Sequence, residues 1–193
     1  MIPRNLALAI AVLLLALLGM GLYGLRLRSR ALEMQQQTRD ARPIAPPVSG
    51  KTENLAFFDP IDDRGALVKK NFSAQLPSEP SLRAREIVRL VLEAWQRKDS
   101  QHTISASADI NEVFLLDSGK TAIVDMNAAF ADQHRSGIMV EELSLASLSK
   151  TLGANMPGLT QVKFIIDGHQ RETLAGHADL TDFYSTNLDW PTE

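Results

Sequence analysis

Serine, lysine and paired carboxylates are the side chains of this sequence that could carry out catalysis. Ser147 and Lys150 have the spacing at which one helical turn places a lysine amine beside a serine nucleophile. The Ser-Asp-Asn and Lys-Thr-Gly motifs that complete such a site are absent from the sequence. Asp62-Asp63 and Glu141-Glu142 are carboxylate pairs, but adjacent residues rarely point at one substrate, and a turn and a helix start explain them. We therefore predict no catalytic residues and no enzymatic activity.

A second group of side chains has the chemistry of a metal site. It consists of Asp167, His169, His177 and Asp179, whose carboxylates and imidazoles are common ligands of divalent ions. Their spacing matches no compact metal motif, and polar turns account for them. The chain has no cysteine, which excludes disulfides and thiolate sites. We predict neither a metal nor a cofactor.

Surfaces that could bind a partner are the third possibility. A predicted helix carries five basic residues that could dock an acidic partner: Arg83, Arg85, Arg89, Arg97 and Lys98. Glu86 and Glu93 dilute this charge, and a solvated face of mixed charge is the alternative. Four residues could contact a glycan: Trp95, Trp190, Tyr184 and His134, although the apolar periodicity around Trp95 places it in the core. The net charge of -3 argues against nucleic acid as a partner.

The elements that must position these residues follow from patterning. Apolar runs at 54–59 and 66–72, separated by Pro60 and Gly65, predict a hairpin. Apolar residues at three- and four-residue steps over 82–98 predict an amphipathic helix, capped by Ser78 or Ser81. Short β-branched runs at 112–117 and 121–126, joined by Ser118-Gly119, predict a second hairpin.

The last third of the sequence predicts a helix and one or two strands. Leu145, Leu148 and Leu152 share one face of a helix that starts near Val140, and Gly153 with Pro157 should end it. Residues 161–167 form a strand, and residues 171–174 could return as an edge strand. The resulting order, ββαββαβ, predicts an α+β fold in which two helices cover one face of a single antiparallel or mixed sheet. The other face or an edge remains available.

The N-terminal residues have a different character. Residues 6–25 carry no charge, and about 20 apolar residues suffice to cross a bilayer as a helix. We predict a five-residue tail (1–5), a transmembrane helix (6–25) that contacts the lipid bilayer, and a stalk (26–53). Arg26, Arg28 and Arg30 after the helix favour a cytoplasmic C-terminal domain by charge count.

Four landmarks, in order, resemble the GerMN domain of spore-germination and sporulation proteins of the GerM type. They are Ala122-Ile123-Val124-Asp125-Met126-Asn127 ending in Phe130, the run from Glu141 to Thr151-Leu152, Val162-Lys163-Phe164-Ile165-Ile166-Asp167-Gly168, and Gly176 with Asp179-Leu180. The resemblance identifies residues 54–184 as a single GerMN-like copy, followed by a tail at 185–193.

The resemblance implies a role in the cell envelope. GerMN-like domains are similar to assembly and scaffolding modules, which implies contacts with other envelope proteins or with copies of the same chain. It also implies a single-pass protein of the cytoplasmic (inner) membrane whose domain lies outside the cytoplasm, which is the opposite of what the charge count favours. The implied role is in sporulation, germination or the cell envelope in general. The alternative is a peptidoglycan- or glycan-binding module that positions envelope machinery.

Overall fold

The structure is a computed structural model that describes residues 51–192. This part of the chain contains both strands and helices. The elements are β1 (Lys51–Ile61), β2 (Ala66–Leu76), α1 (Pro80–Trp95), β3 (Ile110–Leu116), β4 (Thr121–Met126), α2 (Ala128–Asp132), α3 (Ile138–Asn155), β5 (Gln161–Ile166) and β6 (Tyr184–Ser185). These residues belong to one compact unit, Val48–Glu193. The predicted transmembrane helix and most of the stalk lie outside the described residues. Within 51–192 no helix is long and apolar enough to span a membrane.

The first hairpin forms as predicted but is longer. β1 pairs antiparallel with β2 from Lys51 opposite Leu76 to Ile61 opposite Ala66. Pro60 lies inside β1 rather than in the turn, which is a short 3₁₀ turn closed by Gly65 at a φ of 61°. That left-handed conformation favours glycine because it has no Cβ. β1 begins three residues before the expected domain start at Asn54.

The described strands form two sheets, so the prediction of a single sheet is wrong. β1 and β2 stand alone, and the second sheet has the order β3-β4-β5-β6. In this mixed sheet β4 and β5 are parallel, whereas the outer pairs are antiparallel. Residues 171–174 do not form the edge strand; Thr173 makes only an isolated bridge to Asp179, and β6 takes the edge. The four residues 171–174 contain nothing that would predict the pairing of β5 with a later segment, Tyr184–Ser185.

α3 contacts both of the sheets, whereas the prediction had it cover one face of a single sheet. It packs against β1 and β2 on one side and against β5, β6 and α1 on others. All residues from Leu143 to Ser149 are buried, so the helix is internal rather than laid on a surface. Small side chains on α3 allow its backbone to approach neighbouring elements closely; they are Ser144, Ala146, Ser147 and Ser149. The leucine face was predicted correctly, but the buried serine face was missed.

The helix ends differ from the prediction in two places. Glu79, not Ser78 or Ser81, caps α1, and its carboxylate accepts from Ser81 N at 3.0 Å and Leu82 N at 2.6 Å. Gly153 does not end α3, which continues to Asn155. A Cβ on Gly153 would lie 2.4 Å from the Cβ of Thr186, so this glycine provides room for the C-terminal residues. The main core lies between α1, α3 and the second sheet, and Trp95, Phe130 and Phe164 are its largest fully buried side chains.

Candidate functional site

The five basic residues considered as a partner surface are largely engaged with neighbours in the same chain. The helix predicted over 82–98 ends at Trp95, so Arg97 and Lys98 lie beyond it. Arg83 forms a bidentate ion pair with Glu53, with Nη1–Oε1 and Nη2–Oε2 distances of 3.0 and 2.7 Å. Arg89 pairs with Glu86 and Glu93. Arg85 Nε donates to the carbonyl of Asn111 at 3.0 Å, Arg97 contacts Asp99 at 3.3 Å, and Lys98 is exposed. The face is therefore one of mixed charge, and its role as a partner surface stays a prediction.

The aromatic candidates for glycan binding are held within the fold. Trp95 is fully buried, as predicted. Trp190 is half-buried, and its Nε1 donates to the carbonyl of Gly65 at 3.1 Å. The hydroxyl of Tyr184 donates to the carbonyl of Asp179 at 2.6 Å. The polar hydrogens of Trp190 and Tyr184 are therefore already engaged inside the fold.

The motifs considered for catalysis and metal binding have local structural roles. Ser147 Oγ donates to the carbonyl of Phe58, whereas Lys150 Nζ donates to the carbonyl of Leu188 at 2.8 Å, so the two do not contact each other. His169 Nδ1 donates to the carbonyl of Asp167 at 2.6 Å, and Asp179 accepts from Thr181. Within residues 51–192, no three metal-ligating side chains cluster.

Two of the family landmarks lock β4 and β5 together at their carboxyl ends. Asp125 Oδ1 accepts from the Gly168 N–H at 2.9 Å, which ties the end of β4 to the turn after β5. In return, Asp167 Oδ1 accepts from the Ala128 N–H at 3.2 Å, at the start of α2. Asn127 caps the same helix by accepting from Phe130 N at 3.0 Å. These landmark residues therefore fix backbone turns.

Glu141, which begins the second landmark, holds the loop around Gly176, which belongs to the fourth landmark. Its carboxylate is buried near the start of α3 and accepts from the backbone N–H groups of Gly137, Ala175, His177 and Ala178 at 2.9–3.0 Å. His177 Nδ1 lies 2.9 Å away from it as well. Burial alone would raise the pKa of Glu141, but these donors outweigh it and lower the pKa to about 2.

Sequence reasoning missed a buried polar chain that joins four segments. His102 Nδ1 donates to Asp62 Oδ1 at 2.6 Å, and His102 Nε2 lies 2.7 Å from Ser144 Oγ. His134 Nε2 lies 2.7 Å from the same hydroxyl, and Arg135 pairs with the other oxygen of Asp62. No spacing in the sequence could have revealed this chain, because its members lie up to 82 residues apart, from Asp62 to Ser144.

The hydroxyl of Ser144 is the point where the two halves of this chain meet. Besides the two imidazole nitrogens, the Val140 carbonyl lies 3.1 Å from Ser144 Oγ, one helical turn earlier, and can accept its hydrogen. His134 Nδ1 donates to the carbonyl of Arg135 at 2.8 Å. Burial lowers the pKa of His134 and so favours its neutral ring.

The chain has the order of groups found in nucleophilic enzymes, a carboxylate, an imidazole and a serine, but its serine and one of its imidazoles are out of contact with solvent. Ser144 and His102 are fully buried, and Ser144 is shared by two rings. Burial raises the pKa of Asp62, but hydrogen bonds and charges from His102 and Arg135 outweigh this and keep the pKa below its usual value. The chain is therefore a polar link between the first hairpin, two loops and α3.

One exposed apolar surface remains on the second sheet. Phe114 and Leu116 point away from the core residues of β3 and are 49% and 46% exposed. Ile123 is the cross-strand partner of Phe114, and Phe183 is 54% exposed beside Lys163, which neighbours Ile123 on β5. We call Phe114, Leu116, Ile123 and Phe183 the outer sheet face.

Comparisons with known proteins give the family of this fold. The family described as Germane: Sporulation and spore germination matches residues 55–172. The tandem GerMN domains of the sporulation protein GerM from Bacillus subtilis match with a TM-score of 0.51 at 21% identity over 70% of this chain, which spans only 46% of that protein. No curated protein sequence matches.

Two further solved structures are similar. The first GerMN domain of the same Bacillus subtilis protein aligns with a TM-score of 0.49 at 20% identity, over 70% of this chain and 97% of that one. A lipoprotein from Clostridium perfringens aligns with a TM-score of 0.47 at 12% identity, over 72% of this chain and 89% of that one. Because the family match extends over more than half of the chain, this protein belongs to the Germane family of sporulation and spore germination, and its described body is a GerMN-type domain.

Proposed function

We propose that this chain is a non-enzymatic, membrane-anchored envelope protein whose GerMN-type domain assembles with other proteins outside the cytoplasm. The helix expected at 6–25 is the anchor. The observation that carries the assembly role is the outer sheet face, where Phe114, Leu116 and Phe183 are each close to half exposed. Large apolar side chains grouped on one surface indicate a protein contact because leaving them in water is unfavourable.

The face of the sheet is a better contact surface than its edge. At the β3 edge, Arg85 occupies the Asn111 carbonyl, and the Glu112 carboxylate accepts from the Val113 N–H at 3.1 Å. Side chains that occupy edge groups in this way hinder the addition of a foreign strand. On the face, by contrast, the rings of Phe114 and Phe183 remain about half exposed. We therefore propose that a partner protein packs flat on the outer sheet face.

A glycan-binding role is the weaker candidate. Trp95 is buried, Trp190 and Tyr184 donate their polar hydrogens inside the fold, and His134 belongs to the buried polar chain. Binding to purified cell wall that is lost on replacing Trp190 or Tyr184 would favour the glycan role instead.

Site-specific crosslinking in cells tests the assembly role. A photo-reactive amino acid at Phe114 should crosslink to a partner protein, whereas the same group at Leu82, which is 41% exposed on α1, serves as the matched control. With the photo-reactive group moved to Ile123, the cross-strand partner of Phe114, replacing Phe114 and Leu116 together by glutamate should abolish the crosslinked species, because two charges would be desolvated in the contact. Equal crosslinking at positions 114 and 82, or a partner that survives the double substitution, would contradict the proposal.

The location is tested separately with reporters fused after Glu193. A phosphatase that is active only outside the cytoplasm should be active, and a fluorescent reporter that matures only inside should be dark. The reverse pattern would follow the charge count of Arg26, Arg28 and Arg30 and would sink the proposed location.

A further inference from the structure

An apolar groove on the opposite side of α3 from the second sheet is filled by the C-terminal residues of the chain. Its base is a separate buried cluster of Leu67 from β2 with Leu143 and Ala146 from α3. Phe58 of β1 borders it, and Lys150 Nζ lies 5.5 Å from the Phe58 ring centroid. We call these five residues, together with Gly65, the tail groove. Leu188 and Trp190 pack into it.

The C-terminal residues bind this groove in the manner of an added strand. The Leu67 N–H donates to the Pro191 carbonyl at 2.9 Å, and Leu67 forms a parallel bridge with Thr192. Trp190 Nε1 donates to the Gly65 carbonyl at 3.1 Å, and Lys150 Nζ donates to the Leu188 carbonyl at 2.8 Å. The groove therefore selects an extended backbone that carries a leucine and, two residues later, a tryptophan.

This tail is attached to the domain body at a clear pivot. Thr186 is buried against Gly153, and its N–H donates to the Thr160 carbonyl at 3.0 Å, so the chain is fixed up to that point. Asn187 is exposed, and beyond it only Leu188 and Trp190 are half-buried. A segment with so little burial opens at a much lower free energy than the whole domain. Release of residues 188–192 leaves the main core intact.

We propose that the tail groove is a strand-addition site that accepts residues 188–192 of a second copy of this chain in place of its own. The second copy carries the same segment, so every contact made in one chain is available between chains. Exchange of an identical element in this way forms a symmetric pair without a new interface. The surface involved is separate from the outer sheet face, so the proposal does not depend on the proposed assembly role.

The first test asks whether the groove binds the segment as a separate molecule. The probe is a dye-labelled peptide of residues 187–193, titrated into detergent-solubilised full chain and into the same chain ending at Asn187. The shortened chain should bind the peptide at least about tenfold more tightly, because an attached tail competes at an effective concentration of roughly millimolar. A peptide with Trp190→Ala should lose about tenfold in affinity. An equal response of both chains, or of both peptides, would overturn the proposal.

Circular dichroism establishes that the shortened chain is folded. If it is not, the full chain with Trp190→Ala replaces it, since this variant keeps the chain length but weakens the tail's own hold. The peptide should then bind that variant more tightly than the unaltered chain. Absence of saturable binding to a folded chain with a vacated groove also overturns the proposal.

The second test detects exchange between intact chains. Copies labelled with light and heavy nitrogen are mixed, each with a photo-reactive group at Thr192, the partner of Leu67 across the bridge. Crosslinks from position 192 of one isotope to residues 65–68 of the other should rise with protein concentration. Deleting Asn187 should raise their share further, because a shortened hinge strains the closed form more than the exchanged pair. Crosslinks confined to single copies at every concentration would overturn exchange.

Discussion

The hydroxyl of Ser144 is shared by two imidazole nitrogens, those of His102 and His134. Ser144→Ala should lower the free energy of unfolding by about 2 kcal/mol, since both rings then lack a buried partner. Ser149→Ala is the matched control: the same helix, equal burial, and an Oγ without a hydrogen-bond partner among the described residues. That change should be neutral or slightly stabilising. Urea unfolding of both variants measures this, and equal losses would contradict the special position of Ser144.

Glu141 should make the domain sensitive to acid. Its folded pKa of about 2 lies below the ordinary value of 4.5, so its contribution is fully present above pH 4.5 and is lost as the pH falls towards 2. With allowance for solvent screening, that contribution is about 2 kcal/mol. Glu141→Gln should remove it and flatten the stability curve between pH 4.5 and 2. Unfolding of the variant and of the unaltered chain, measured at several pH values, tests this, and parallel curves for the two would contradict it.

His134 acts in the same direction over a higher range of pH. Burial lowers its pKa below 6.5, so the folded protein favours the neutral ring, and this preference is lost as the pH falls through the lowered pKa. The weakening that begins as the pH falls below 6.5 is therefore a contribution of this ring. The weakening below pH 4.5 comes from Glu141 and, below 3.8, also from Asp62.

At the scale of elements, the hairpins and α1 were predictable because their signals are local. The Ser118-Gly119 turn and the alternation on either side of it identify β3 and β4 without reference to the rest of the chain. The prediction that Gly153 ends the helix was wrong. A glycine is needed there because Thr186, which is distant in the sequence, packs against this position. The polar chain at Asp62, His102 and Ser144 was missed for the same reason.

The contact between Gly153 and Thr186 can be tested by a double-mutant cycle. Gly153→Ala should cost about 2 kcal/mol, because a Cβ there would lie 2.4 Å from the Thr186 Cβ, well inside contact distance. Thr186→Gly alone should also destabilise, since its Oγ1 donates to the Leu159 carbonyl at 3.0 Å. In the double variant the overlap is gone, so the two losses should fall short of additive by about 1 kcal/mol or more. Strict additivity in unfolding experiments would show that α3 simply shifts to accommodate the methyl group.

At the scale of the whole described domain, α3 joins the hairpin and the second sheet, and unfolding should be cooperative for everything it contacts. The sequence predicted an exposed sheet face and a helix with an apolar stripe, and both exist. It could not predict an internal helix, because α3 combines leucines on one side with serines on the other, and serine gives no burial signal until its partners are known.

The two tryptophans report separately on this cooperative body and on the tail. Trp95 lies in the main core, and Trp190 lies in the tail groove. In Trp190→Phe, the emission of Trp95 and the far-ultraviolet circular dichroism should change at one urea concentration, as expected for a single cooperative unit. In Trp95→Phe, the emission of Trp190 should change at a lower urea concentration than the circular dichroism, because residues 188–192 are released before the core unfolds. Coincident transitions in both variants would make the tail part of the cooperative body, and exchange between copies would then require global unfolding.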